Sequence, residues 1–164
     1  SYKEHLFEQY KLYIESIEKT SDRRQRANDY FIVINTTLIS FIGIVSQIKL
    51  FENTAWMKSI IALVGIIICV IFWYLIRSYR QLNTGKFSVI HEIEQHLPLA
   101  LYKHEWEILG KGKDYEKYYP FSHIELLIPW IFGAIYFFIG IYFLACFYFF
   151  RNLSKYFNFI IRNQ

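Results

Sequence analysis

An all-α integral membrane protein with about three transmembrane helices is the fold class the sequence predicts, and three observations predict it. The 164 residues are 54% hydrophobic and 21% aromatic, and only 20% carry a charge, against about 25% in an ordinary soluble domain. The apolar residues gather in uncharged blocks at residues 30–48, 59–76 and 126–150, of 19, 18 and 25 residues. The segments between them show helical spacing. A helix rising about 1.5 Å per residue needs about 20 apolar residues to cross a hydrocarbon core of about 30 Å. All three blocks meet that length, and the third is long enough to tilt.

The same composition excludes other classes. Sixteen Phe, 14 Tyr and 4 Trp are more aromatic surface than one small soluble core hides, and disorder needs low hydrophobicity. The two cysteines, Cys69 and Cys146, make no disulfide framework and no metal-ligand spacing. Net charge is +4 with a pI of about 9.0, which fits a lysine and arginine excess on one side of a membrane. The first block begins about 30 residues in and is too long for the apolar core of a signal peptide, so no leader is expected there.

Residues 1–29 read as an N-terminal amphipathic cytosolic helix. Leu6, Tyr10, Tyr13 and Ile17 recur at helical spacing with Phe7 and Ile14 alongside, and Glu4, Glu8, Lys11, Glu15, Glu18 and Lys19 fill the other face. Acids balance bases, so this helix is expected to pack on the second polar segment or on a neighbouring subunit. Arg23, Arg24, Arg26 and Asp29 follow, as a topological anchor or as the mouth of a pore.

Residues 30–76 form a transmembrane hairpin with spans 30–48 and 59–76. In the first span Thr36, Ser40, Gly43 and Gln47 recur at spacings of 4, 3 and 4, with Asn35 and Thr37 beside them. Small and hydroxyl side chains on one face permit close helix packing; the same face can line a water-filled lumen in an oligomer. Either way it avoids lipid. The second span is almost wholly aliphatic and faces lipid or packs loosely.

Residues 77–123 are a cytosolic helical segment. Phe87, Ile90, Ile93 or Glu94, and Leu97 mark a short helix that Pro98 ends or kinks. Residues 99–109 form a second helix stopped by Gly110, and residues 110–123 form a loop through Pro120. The third transmembrane helix is assigned to 124–150. Gly133 and Gly140, seven apart with Ala134 beside the first, mark a packing face, and Trp130 and Tyr148 are interfacial. Glu125 at its start is read as a helix N-terminal carboxylate, with Pro129 one turn in. Residues 151–164 are a C-terminal tail. With the N-terminus inside, thirteen lysines and arginines face the cytoplasm and five face out, which orients the chain N-in and C-out, with Arg151, Lys155 and Arg162 dissenting.

No catalytic residues, metal site or cofactor are expected. His91 and His96 are five apart, which does not align two ligands as an i, i+4 pair would, and H-E-x-x-H is absent. Gly110-Lys111-Gly112-Lys113 lacks the spacing of a phosphate loop. The Arg-to-His spacing of HEPN ribonucleases is missing after Arg23, Arg24, Arg26, Arg77 and Arg80. The basic and tyrosine-rich run at 111–119 is diluted by Asp114 and Glu116, so direct nucleic-acid binding is not expected. Three spans enclose no pore, so a conduit requires a cyclic homo-oligomer in the bilayer.

SDRRQRANDYF at 21–31 and WEILGKGKDYEKYYPFSHIELLIPWIF at 106–132 carry a resemblance over nearly the whole chain. The sequence resembles the RipA-family octameric membrane proteins, and within them the small Csx membrane accessory proteins of type VI-B CRISPR systems. The resemblance implies an octamer in the bacterial inner (cytoplasmic) membrane with a central pore. It implies antiviral defence strengthened by permeabilising or depolarising the membrane after RNA targeting, in functional coupling to an RNA-guided CRISPR effector. The wider family also implies a non-conducting scaffold for envelope homeostasis or intracellular growth. A membrane-bound ribonuclease is the weakest reading. The family brings no catalytic residues.

Overall fold

The computed structural model describes residues 2–48, 55–112, 116 and 121–162, without the side chains of 121–123 and 154–162. Its elements are α1 (Tyr2–Gln47), α2 (Ala55–Glu94), α3 (Leu101–Ile108), a 3₁₀ turn at Gly110–Gly112, and α4 (Phe121–Arg162). Among the described residues there is no strand. α1, α2 and α4 each hold a stretch long and apolar enough to cross a membrane. The chain is an all-α membrane protein.

The helices are longer and fewer than the sequence pattern implies. The N-terminal amphipathic helix, the arginine stretch and the first span are one helix of 46 residues. No Gly or Pro interrupts residues 2–42, and Arg, Gln and Ala are strong helix formers, so a change from polar to apolar sequence is no reason for the backbone to stop. α2 likewise runs through the second span and on to Glu94, so the short helix marked by Phe87 and Ile90 is its last turns. Leu97 precedes Pro98, which disfavours α backbone there. The chain leaves α2 through tight turns, with the amides of Gln95, His96 and Leu97 donating three residues back. α3 is shorter at both ends than 99–109. Gly110 then adopts φ 70°, a left-handed conformation glycine reaches without strain. α4 extends beyond residue 150 to Arg162.

Each long helix buries one seam. On α2 the inward positions are Lys58, Ala62, Gly65, Cys69, Phe72, Ile76, Tyr79, Asn83, Lys86 and Ile90, and on α4 Glu125, Pro129, Phe132, Tyr136, Ile139, Phe143 and Cys146. α1 follows the same alternation of 4 and 3 through Arg24, Asn28, Phe31, Asn35, Leu38 and Ile42. This 3.5-residue repeat is that of knobs-into-holes packing.

The chain divides into two compact units. The polar unit comprises Ser1–Tyr30 and Trp73–Leu127; the apolar unit comprises Phe31–Phe72 and Ile128–Gln164. In the polar unit Tyr10, Ile17 and Ile90 form the buried core, with Tyr13, Ile14, Phe87, Ile93, Leu97 and Tyr102 against it. The apolar face of the N-terminal helix therefore meets the far end of α2. Glu94, 1% exposed, ties three helices together. It accepts the Tyr10 hydroxyl at 3.1 Å and the backbone amides of Tyr102 and Lys103 at 2.8 and 3.1 Å. Those amides are orphan donors of the first turn of α3, and Ala100 at its N-cap offers no side-chain acceptor. Lys86 adds a second clasp, donating to the Ser16 carbonyl at 3.1 Å and to its hydroxyl.

In the apolar unit Phe31 stacks on Phe72 with ring centroids 3.9 Å apart and meets Phe132 edge-on at 5.7 Å. One layer along, Tyr136 is fully buried and lies against Gly65, where an added Cβ would come within 2.5 Å of the ring. The Tyr136 hydroxyl donates to the Asn35 carbonyl at 3.2 Å, and the Asn35 amide donates to the Phe31 carbonyl at 2.7 Å. The Cys69 thiol reaches the Asn35 side-chain oxygen at 3.8 Å. Lys58, which the sequence places in the loop, is buried in α2 with its ammonium 5.1 Å from the Phe143 ring centre.

Two outcomes follow from these layers. Gly65→Ala gains helix propensity but overpacks Tyr136, so it should destabilise the protein by about 1–3 kcal/mol, read as a lower thermal transition in detergent; Tyr136→Leu in the same chain should restore most of the loss. Burial, and then the Glu94 carboxylate, push the Tyr10 phenol from an ordinary 10.0 to about 12. Its contribution to stability is therefore complete below pH 10 and lost as pH rises through about 12. The ultraviolet titration difference between the wild type and Tyr10→Phe should show a midpoint near the upper value; a midpoint near 10 would contradict the buried bond.

Candidate functional site

Membrane helices built from aliphatic and aromatic side chains make polar exceptions informative, because lipid offers no hydrogen bonds. In the apolar unit the exceptions on α1 separate by direction. Thr36, Ser40, Gly43 and Gln47 are all exposed, as is Thr37, while Asn35 is fully buried. Successive residues turn about 100° around the helix, which carries Asn35 away from its neighbour Thr36 and onto the seam. Asn35 is thus parted from the other four lumen candidates and serves the subunit interior. The Thr36 hydroxyl donates within its own helix, to Ile32 at 2.8 Å and Val33 at 3.0 Å. A Cβ added at Gly43 would meet nothing within 4 Å. The result is a narrow face of small and polar groups on a helix whose other outward residues include Val33, Phe41 and Ile44.

Gly133 and Gly140 on α4 face α2. A Cβ on Gly133 would lie 3.9 Å from that of Cys69, and one on Gly140 would lie 3.7 Å from that of Ala62. Both pairs are seven residues apart and run in opposite senses, the register of two antiparallel helices. Gly65 makes a closer approach than either, yet within an aliphatic run it reads as a neutral position. Its place on the 4, 3 repeat with Ala62 and Cys69 is the signal that identifies it.

In the polar unit Arg24 departs from the other anchor or pore-mouth candidates. Arg23, Arg26 and Asp29 are exposed; Arg24 lies on the seam, its guanidinium Nε 3.5 Å from Glu125. The Asn28 amide donates to the other carboxylate oxygen at 2.7 Å. Glu125 is 2% exposed, so it does not act as a terminal cap. It sits in the second turn of α4 and joins α4 to α1 just where the uncharged blocks begin. Asn28 is the member the sequence pattern leaves out, although it stands four residues after Arg24 and three before Phe31 on the same seam. Arg24 Nε, Asn28 Oδ1, Glu125 Oε2 and Asn83 Oδ1 are buried without a hydrogen-bond partner among the described residues. A buried pair so incompletely satisfied adds little net stability, but deleting one partner is costly. Residues 113–115 and 117–119 of the basic, tyrosine-rich run lie outside the described residues, as do Pro120 and the His123 side chain.

This geometry offers packing surfaces, a polar membrane face and a buried ion pair. Among the described residues no three His, Cys, Asp or Glu side chains are grouped to hold a metal ion. It is the construction of a helical integral membrane protein. Residues 7–145 match the octameric membrane protein family (8xMP), and the chain belongs to that family. No curated protein and no solved structure matches it.

Glu125→Ala should cost about 3 kcal/mol, the lower end for a broken buried pair because Arg24 keeps some solvent contact. The loss is read as a lowered thermal transition of the purified protein. Adding Arg24→Met should recover much of it, and additive losses would show that the two charges do not interact.

Proposed function

We propose that this chain is the subunit of a non-enzymatic octameric pore in the bacterial inner membrane, with its N-terminus in the cytoplasm. The observation that carries the reading is the exposed face of Thr36, Ser40, Gly43 and Gln47 on an otherwise apolar membrane helix. Membership of an octameric family supports eight subunits, which a ring would arrange about a common axis. Eight helices of about 10 Å diameter, packed side by side in a circle, leave an opening of about 15 Å, wide enough for hydrated ions. Function then comes from ion flow and loss of membrane potential, with no reaction on a substrate. The resemblance to CRISPR accessory proteins supports a role in antiviral defence, the pore opening after an RNA-guided effector has found its target.

A second reading is a non-conducting scaffold. It is favoured by the internal bonding of the Thr36 hydroxyl and by the open space over Gly43, both suited to a close helix neighbour.

Efflux of a trapped dye from liposomes carrying the full-length protein separates the two. Thr36→Leu with Ser40→Leu should cut efflux about tenfold by drying the lumen while the oligomer keeps its elution volume. Unchanged efflux rejects the lumen assignment; absence of efflux from the wild type, together with an unchanged membrane potential in cells during RNA targeting, favours the scaffold.

A further inference from the structure

A second feature of the polar unit belongs neither to the α1 face nor to the buried pair. One face of α2 presents Trp73, Arg77, Arg80, Gln81 and Thr84, and Leu126 of α4 closes the other wall of a groove of about 520 Å³. Its position is set by sequence. Trp73 lies in the last turn of the uncharged block 59–76, Arg77 is the first charge after that block, and Leu126 is the first residue of the block 126–150. The groove therefore runs from apolar walls at Trp73 and Leu126 to cationic and hydroxyl groups at Arg77, Arg80 and Thr84. That gradient is the one met by a lipid at headgroup level.

We propose that this groove binds the phosphate of an anionic phospholipid, of the phosphatidylglycerol or cardiolipin class. Arg77 and Arg80 are three residues apart, hence neighbours on the helix surface, and guanidinium forks match phosphate oxygens with paired hydrogen bonds. The Arg77 guanidinium carbon stands 5.4 Å from the Trp73 ring centre, which limits its freedom before a ligand arrives. Trp73 has the amphipathic ring preferred at the membrane interface, and Gln81 and Thr84 add polar groups at the outer end. Basic pockets between membrane helices are a recurrent setting for anionic headgroups. A general attraction of positive residues to the membrane surface needs neither the wall at Leu126 nor the ring under Arg77, and lysine would serve it as well as arginine.

The test is native mass spectrometry of the full-length oligomer, equilibrated in micelles with equal phosphatidylglycerol and phosphatidylcholine. The wild type should retain phosphatidylglycerol in preference. Each arginine near a membrane surface contributes about fivefold, so Arg77→Gln with Arg80→Gln should lower that preference about 25-fold. Arg77→Lys with Arg80→Lys keeps the charge and should still lose a large part of it. Full retention in the lysine variant reduces the groove to a surface charge, and full retention in the glutamine variant overturns the site. Millimolar inorganic phosphate should leave the lipid in place; displacement assigns the groove to free phosphate instead. Brominated phosphatidylglycerol should quench the wild type more than Trp73→Phe, a measurement independent of the arginine variants. Equal quenching, or a cross-link from a residue at 77 or 80 to a neighbouring subunit, would also overturn the proposal.

Discussion

The 3.5-residue repeat buried along α1, α2 and α4 is the constraint from which the remaining geometry follows. Once inward positions alternate by four and three, each helix can offer only one narrow line of side chains to the subunit interior. Everything else on a long apolar helix must then meet lipid or another subunit. That is why so much aromatic and aliphatic surface is exposed in one chain, and why residues one position apart, such as Asn35 and Thr36, have unrelated surroundings. The seam is also selective about volume. Phe31, Phe72 and Phe132 fill one layer with rings; the next holds Tyr136 only because Gly65 contributes no side chain. Large and small residues must alternate across facing helices for close packing to continue.

Several polar groups on the seam join different helices. Asn35 is approached by Cys69 and Tyr136, Glu94 joins α1 and α2 to the start of α3, and Glu125 joins α4 to α1. In a membrane protein the hydrophobic effect does little to choose between alternative packings of equally apolar helices. A carboxamide or carboxylate whose partners lie at one level does choose, because sliding a helix by a turn would strand it. These few residues therefore act mainly on register, and their net contribution to stability is smaller than their burial suggests.

The three spans were legible in the sequence because charge-free length is a direct requirement of the bilayer. The apolar face of residues 6–17 was equally plain, since amphipathic spacing survives in any helix that packs on one side, but the choice between the second polar segment and a neighbouring subunit as its partner was open until the structure set it against Phe87 and Ile90. Helix ends were not legible. Hydropathy changes sharply near Tyr30 and Ile76, but that change does not itself stop a helical backbone, and no Gly or Pro stands at either place. The exposed face of Thr36, Ser40, Gly43 and Gln47 could be read from periodicity alone. Gly65 and Asn28 could not, since their roles depend on Tyr136 and Glu125, residues 71 and 97 positions away. Glu94 was ambiguous for a related reason: a carboxylate at an apolar position makes sense only when the amides of a later helix are known to converge on it.

The unbroken run of α1 has a mechanical consequence. A helix of 46 residues is about 69 Å long, and no glycine or proline before Gly43 provides a point at which it could bend cheaply. Such a rod resists twisting as well as bending. Tyr10, which bonds Glu94, and Arg24 and Asn28, which hold Glu125, are fixed to the same shaft within the polar unit. A few degrees of rotation imposed at Tyr10 would re-aim Arg24 and Asn28 against Glu125, without any residue between them having to change its own conformation.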